Sequence, residues 1–177
     1  MGDVQTGGKR RIDQVLAPGF AEGLAELRTD EVRGRRDLAR AELEYLSLVR
    51  RLLQGRMDIL RAEADRRERG GPAEPMVDRL AAILSDGPRG PSRGEVPVMA
   101  LPEDEVALAR RRVERLVGDA SVSNAGGQSD QDLAEALEKL GEEEGNISGL
   151  RARVIDVHDA LQAEMKERLR SEMGQGS

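Results

Sequence analysis

The placement of proline limits this chain more than any other feature. Six of its seven prolines lie between residues 72 and 102 and the seventh is Pro18, so two stretches of more than fifty residues contain none. Proline breaks a helix interior because it lacks the amide hydrogen and its ring clashes with the preceding turn. Its absence over such lengths permits long, uninterrupted helices. Composition points the same way: Ala, Glu, Lys, Leu and Arg make up half of the 177 residues, the pattern of long helices or coiled coils. With one Phe, one Tyr and no Trp, the chain lacks the aromatic bulk that fills a thick core. The expected fold is therefore thin and all-α.

Punctuation along the chain sets the segments. Thr29 followed by Asp30 and Glu31 reads as an N-cap with acids in the first turn, and Gly70-Gly71-Pro72 as a stop. A helix over about 30–69 would be about 60 Å long at about 1.5 Å per residue. The chain then divides into an N-terminal arm (1–28), a first long helix (29–69), a Pro/Gly-rich linker (70–102) with room for a short helix around 76–84, a short helix (103–117), a flexible linker (118–128), a last long helix (129–173) and a tail (174–177). Ser129 or Asp130 caps the last helix, which has one weak spot at Gly145-Asn146. The arm carries Ile12, Val15, Leu16, Phe20, Leu24 and Leu27, and reads equally as docked amphipathic turns or as a loose segment.

The long helices have opposite charge. Residues 28–70 hold 12 basic and 9 acidic side chains, and residues 129–173 hold 6 and 12. Each also carries a narrow apolar stripe: Leu46, Val49, Leu53, Met57 and Leu60 in the first, Ile147, Leu150, Val154, Leu161 and Met165 in the last. Such helices should pair. The connection allows either direction, and the simpler expectation is an antiparallel coiled-coil hairpin with short accessory helices. A second stripe on the first helix, Tyr45, Leu48, Leu52 and Ile59, has no equivalent on the last helix. The short helix, the arm or another protein must cover it.

An offset of 101 residues superimposes the two long helices as a repeat. Ser47 falls on Ser148, Arg50 on Arg151, Asp58 on Asp159, and Ala62-Glu63 on Ala163-Glu164. At about 100° per residue, Ser47, Arg50, Gln54 and Asp58 share an arc of about 80°, and Ser148, Arg151, Ile155 and Asp159 share another. Both arcs lie beside the apolar stripes, so packing of the stripes aligns two polar stripes along one groove. Hydroxyl, guanidinium, amide and carboxylate together suit a guanine nucleotide: arginine can donate two parallel bonds to a guanine edge or to phosphate and can stack on the base, while a carboxylate accepts from the N1 and N2 protons. The plain alternative is a solvated charged face with weak ion pairs.

Ser47-x2-Arg50-x3-Gln54-x3-Asp58 resembles the repeated Glu-x3-Ser-x2-Arg-x3-Gln-x3-Asp signature of the RsiG family, cyclic-di-GMP-dependent anti-sigma factors of actinobacteria such as Streptomyces. Glu144-x3-Ser148-x2-Arg151 with Asp159 resembles the second copy. Two positions depart: Leu43, flanked by Glu42 and Glu44, stands where the signature has Glu, and Ile155 where it has Gln. The resemblance implies an antiparallel two-helix coiled coil that binds two intercalated cyclic-di-GMP molecules and, when loaded, sequesters a WhiG-like flagellar-type sigma factor to repress transcription. It implies that Arg50 and Arg151 contact guanine and phosphate, that Asp58 and Asp159 accept from guanine, and that Ser47, Gln54 and Ser148 add supporting bonds, with Glu144 in the ligand-binding set. The stripe of Tyr45, Leu48, Leu52 and Ile59 then suits the sigma factor.

Other classes find less support. The chain has no cysteine, so it has neither disulfides nor thiolate metal sites. No apolar run reaches the about 18 residues of a membrane span, the N-terminus has no apolar core of a signal peptide, and the expected setting is the cytoplasm. Glu135-Ala136-Leu137 spells a phosphodiesterase tripeptide without the other ligands, and His158 has no partner set for acid–base or metal work. Neither enzymatic activity nor a metal is expected. Direct DNA binding through Arg33, Arg35, Arg36 and Arg40 is disfavoured by the net charge of −6. The remaining alternative is a structural coiled-coil adaptor with no nucleotide ligand.

Overall fold

A computed structural model describes residues 10–70, 101–117 and 122–174. Among these residues there are four α-helices and no strand: α1 (Arg11–Val15), α2 (Thr29–Glu68), α3 (Glu103–Val117) and α4 (Asp130–Gly174), with 3-10 turns at Leu24–Glu26 and Val122–Gly127. The possible helix around 76–84 lies outside the described residues.

The helix ends follow local chemistry. At the start of α2 the Glu31 carboxylate accepts from the Arg28 amide at 2.8 Å, the reach-back half of a capping box. Thr29 is already helical. Its expected place as N-cap is thus taken by Arg28, and its hydroxyl accepts from Arg168 on α4 instead. The other end of α2 closes on Gly70, whose φ of +63° lies in the left-handed region that suits glycine. Ser129 caps α4 with a full reciprocal box: its hydroxyl accepts from the Asp132 amide at 3.1 Å, and the Asp132 carboxylate accepts from the Ser129 amide at 3.1 Å. The Ser129 hydroxyl, which also donates to the Asp132 carboxylate at 2.7 Å, and the Ser129 amide hold that carboxyl below its ordinary range. The expected weak spot at Gly145-Asn146 does not interrupt α4.

The chain forms two compact units, one from residues 1–47 and 148–177 and the other from 48–147, and α2 and α4 contribute to both. In the first unit Val15, Val32, Ala39 and Leu46 are buried, as are Val154, Leu161 and Met165 of α4. The arm is docked there. Val15 is fully buried, Arg11 donates to buried Glu42 at 2.7 Å and lies 5.9 Å from the Tyr45 ring centroid, and Arg35 donates to the Phe20 carbonyl at 2.7 Å. In the second unit the buried set is Val49, Leu53, Met57 and Leu60 of α2, Ala109 and Val113 of α3, Ala125, and Leu133, Ala136, Leu140 and Ile147 of α4. Ala125 falls in the segment expected to be a flexible linker, yet Val122–Gly127 form a turn that seats it in the core. The long helices pack together in each unit. Of the ten residues in the two expected seams, only Leu150 is not buried.

Each unit contains one arginine that joins three parts of the chain. Arg67 donates from Nε to Glu63 one turn back at 2.8 Å, from Nη1 to Asp130 on α4 at 2.7 Å, and from Nη2 to the Ala125 carbonyl at 2.8 Å. Arg168 donates from Nε to Glu164 at 2.7 Å, from Nη1 to the Thr29 hydroxyl on α2 at 3.1 Å, and from Nη2 to the Leu24 carbonyl of the arm at 2.6 Å. The two arginines, like the two glutamates, are 101 positions apart, so the repeat extends to Glu-x3-Arg.

Candidate functional site

In the second unit, Arg50 and Gln54 stand one turn apart on α2, the spacing at which helical side chains become neighbours. Glu144 of α4 reaches both. Its Oε1 accepts from Arg50 Nε at 2.7 Å and from Gln54 Nε2 at 3.2 Å. Arg50 remains 40% exposed and Glu144 21%, so this ion pair sits at a wet surface where its net worth is small. Asp58, two turns beyond Arg50, is exposed, with Arg61 at 3.3 Å on its own helix. It is not drawn into the Arg50–Glu144 contact.

In the first unit, Arg151 Nε donates to the Ser47 hydroxyl at 3.0 Å. Ser47 is its only hydrogen-bond partner among the described residues, so Nη1 and Nη2 have none. Ser148 lies one turn before Arg151 and is half-buried. Asp159 is 72% exposed, and its nearest polar neighbour is His158 at 3.3 Å. Each unit thus brings one motif arginine against a motif residue of the other long helix and leaves an aspartate of the same motif open to solvent. A guanidinium can recognise an anion, and an exposed carboxylate of the same helix can accept from the donor edge of a base.

The glutamates flanking Leu43 are engaged elsewhere. Glu42 is bound to Arg11, and Glu44 accepts from Arg40 at 3.2 Å. Leu43 and Ile155, the two departures from the signature, are half-buried in the first unit. In the residues expected to face a partner, Tyr45 lies under Arg11, and Leu48, Leu52 and Ile59 are half-buried in the second unit. Among the described residues no group of three His, Cys, Asp or Glu side chains is placed to hold a metal ion, and no helix is long and apolar enough to cross a membrane.

The family model described as RsiG-like matches residues 18–84. Over these residues the chain resembles RsiG-type proteins. The match takes in all of α2, and with it Ser47, Arg50, Gln54 and Asp58, whereas Glu144, Ser148, Arg151 and Asp159 on α4 lie outside it. That similarity suggests an anti-sigma factor family. No curated protein matches the chain.

Sequence reasoning gave Glu63 no role and did not reach the triple-bonding arginines. Glu63 is buried, accepts from Arg66 at 2.7 Å and from Arg67 at 2.8 Å, and its carboxyl is held down at about 2, first by the Arg66 hydrogen bond and then by Arg67, against the opposing effect of burial. The signal was present in the repeat, which pairs Glu63 with Glu164. Extending the comparison by four residues finds Arg67 and Arg168.

Proposed function

We propose that this chain is a nucleotide-gated anti-sigma factor: it binds cyclic-di-GMP through the duplicated motif and, when loaded, sequesters a WhiG-like flagellar-type sigma factor. The observation that carries this reading is that both motif arginines sit in cross-helix clusters, Arg50 with Glu144 and Gln54, Arg151 with Ser47, and neither is simply solvated. The long helices run antiparallel in this reading. Its support is the order of the contacts within each unit, where the partner's number falls as the residue number rises: Arg50 meets Glu144 and Arg67 meets Asp130, while Thr29 meets Arg168 and Ser47 meets Arg151.

The chemistry is recognition, not turnover. Arg50 and Arg151 supply planar donors for phosphate oxygens or a guanine O6/N7 edge, and can stack on the base in a chain with two aromatic residues. Asp58 and Asp159 are exposed acceptors for the guanine N1 and N2 protons. Ser47, Gln54 and Ser148 orient the arginines or bond the ligand directly, while Glu144 holds Arg50 until the ligand arrives. A sigma factor would use the unmatched stripe of Leu48, Leu52 and Ile59 with Tyr45. Effector and partner are then linked, each strengthening the other's binding by the same factor.

Calorimetry with cyclic-di-GMP tests the ligand: binding of two molecules per chain is expected, with linear di-GMP and GTP much weaker, and no binding at micromolar ligand overturns the reading. Arg50→Ala and Arg151→Ala should each weaken binding at unchanged helix content. The Arg50–Glu144 pair also favours a second reading, a structural adaptor whose charged stripe only fastens helix to helix. Loss of helix content in either alanine variant, without any nucleotide effect, would select it. For the partner, Leu48→Asp or Leu52→Asp should abolish capture of a flagellar-type sigma factor while sparing nucleotide binding.

A further inference from the structure

The two arginine clusters are not equivalent, and the difference traces to the two departures from the signature. In the second unit the Glu144 carboxylate accepts from both Arg50 and Gln54. Carried across the 101-residue offset, the positions of Glu144, Arg50 and Gln54 become Leu43, Arg151 and Ile155, all in the first unit. Both departures therefore fall on the positions equivalent to Arg50's two partners. Where the second unit has a carboxylate and an amide, the first has two half-buried aliphatic side chains. No neighbouring acid fills the gap, because Glu42 is bound to Arg11 and Glu44 to Arg40. Arg151 is left with a neutral hydroxyl at 3.0 Å, whereas Arg50 is compensated by a carboxylate at 2.7 Å.

We propose that the clusters fill unequally: the Arg151 cluster takes the first anionic nucleotide, and the Arg50 cluster takes the second only by displacing Glu144. This rests on the cyclic-di-GMP reading above. An anion arriving at Arg151 exchanges a hydroxyl for a charge-assisted bond, which is the stronger kind. An anion arriving at Arg50 must first break such a bond and return the Glu144 carboxylate to water. Glu144 thus acts as a resident competitor that sets the threshold for full loading, and Leu43 with Ile155 sets the low threshold for the first step. The chain reads the nucleotide in two stages.

The test is calorimetry of the full chain with cyclic-di-GMP, analysed for two events. Arg151→Ala should remove the tighter event and Arg50→Ala the weaker. Glu144→Gln, which keeps the shape and removes the charge, should tighten the weaker event by about three- to tenfold, the range for a partly exposed charged hydrogen bond, and leave the tighter one unmoved. Leu43→Glu should weaken the tighter event by a similar factor. Equal events in the native chain, or a Glu144→Gln variant whose weaker event is unchanged or loosened, overturn the proposal while leaving the cyclic-di-GMP reading standing. Absence of any binding overturns both. A ligand-free measurement separates the two further: nitrogen-15 spectra of the arginine side chains should show slower Nε-proton exchange for Arg50 than for Arg151, with the difference abolished by Glu144→Gln. Equal exchange in the native chain counts against the proposal independently of any nucleotide.

Discussion

Glu63 gives the sharpest stability prediction because its environment is unusual for a carboxylate on a surface helix. Its side chain is 6% exposed, and two arginines of the next turn, Arg66 and Arg67, donate to it. Those bonds hold its carboxyl at about 2, against an ordinary 4.5. The ionised form is favoured in the folded chain, so the stabilisation is complete above about 4.5 and is lost as pH falls from there through about 2. That interval corresponds to about 3 kcal/mol at about 1.4 kcal/mol per pH unit. Glu63→Gln preserves the shape and removes the charge, so at neutral pH it should cost about 2–3 kcal/mol. The cost should shrink on acidification and vanish near pH 2. Urea unfolding followed by circular dichroism across that range measures it directly. An offset between native chain and variant that stays constant on acidification would refute the reasoning, since an uncharged packing defect behaves in that way.

Three further outcomes follow from other contacts. Leu53 is fully buried between the long helices, so Leu53→Ala should destabilise the chain by about 2–5 kcal/mol in the same unfolding assay, the range for a truncated core leucine. Ser129→Ala removes one half of the capping box on α4 and should cost about 1 kcal/mol, with faster amide exchange at Asp132 as its local sign. Arg168→Ala cuts the bonds to the Leu24 carbonyl and the Thr29 hydroxyl, so limited proteolysis should cleave residues 10–28 faster while amide exchange in residues 48–67 stays unchanged.

Much of the architecture could be read from periodicity, because a helix seam is a local pattern repeated. The stripes of Leu46 to Leu60 and, Leu150 apart, Ile147 to Met165 are the buried ones, and the helix boundaries fall where acids, serine and glycine place them. Contacts between distant parts of the chain could not be read in the same way. Nothing in the pattern around Arg11 says that it meets Glu42, and Ala125 in a Gly/Ser-rich stretch gives no hint of burial, since both depend on where a short segment lands on a completed helix pair. The repeat made Arg50 and Arg151 recognisable as equivalent positions. What the sequence left open was their pairing across helices, and with it the unlike surroundings of Arg50 and Arg151.

The three-way arginine junctions bear on why this chain holds 25 arginines and 3 lysines. Arg67 and Arg168 each use three nitrogens on three acceptors that point in different directions, one of them a backbone carbonyl. An ammonium carries the same charge on one atom and cannot reach all three, so Arg67→Lys or Arg168→Lys would keep the electrostatic balance and still unfasten a segment. The junctions are also inert to conditions that act on amines. Reagents that acylate lysine leave them intact, whereas a dicarbonyl that caps guanidinium groups would release the arm and the Ala125 turn together. In this chain a change of one cation for another is a change of geometry.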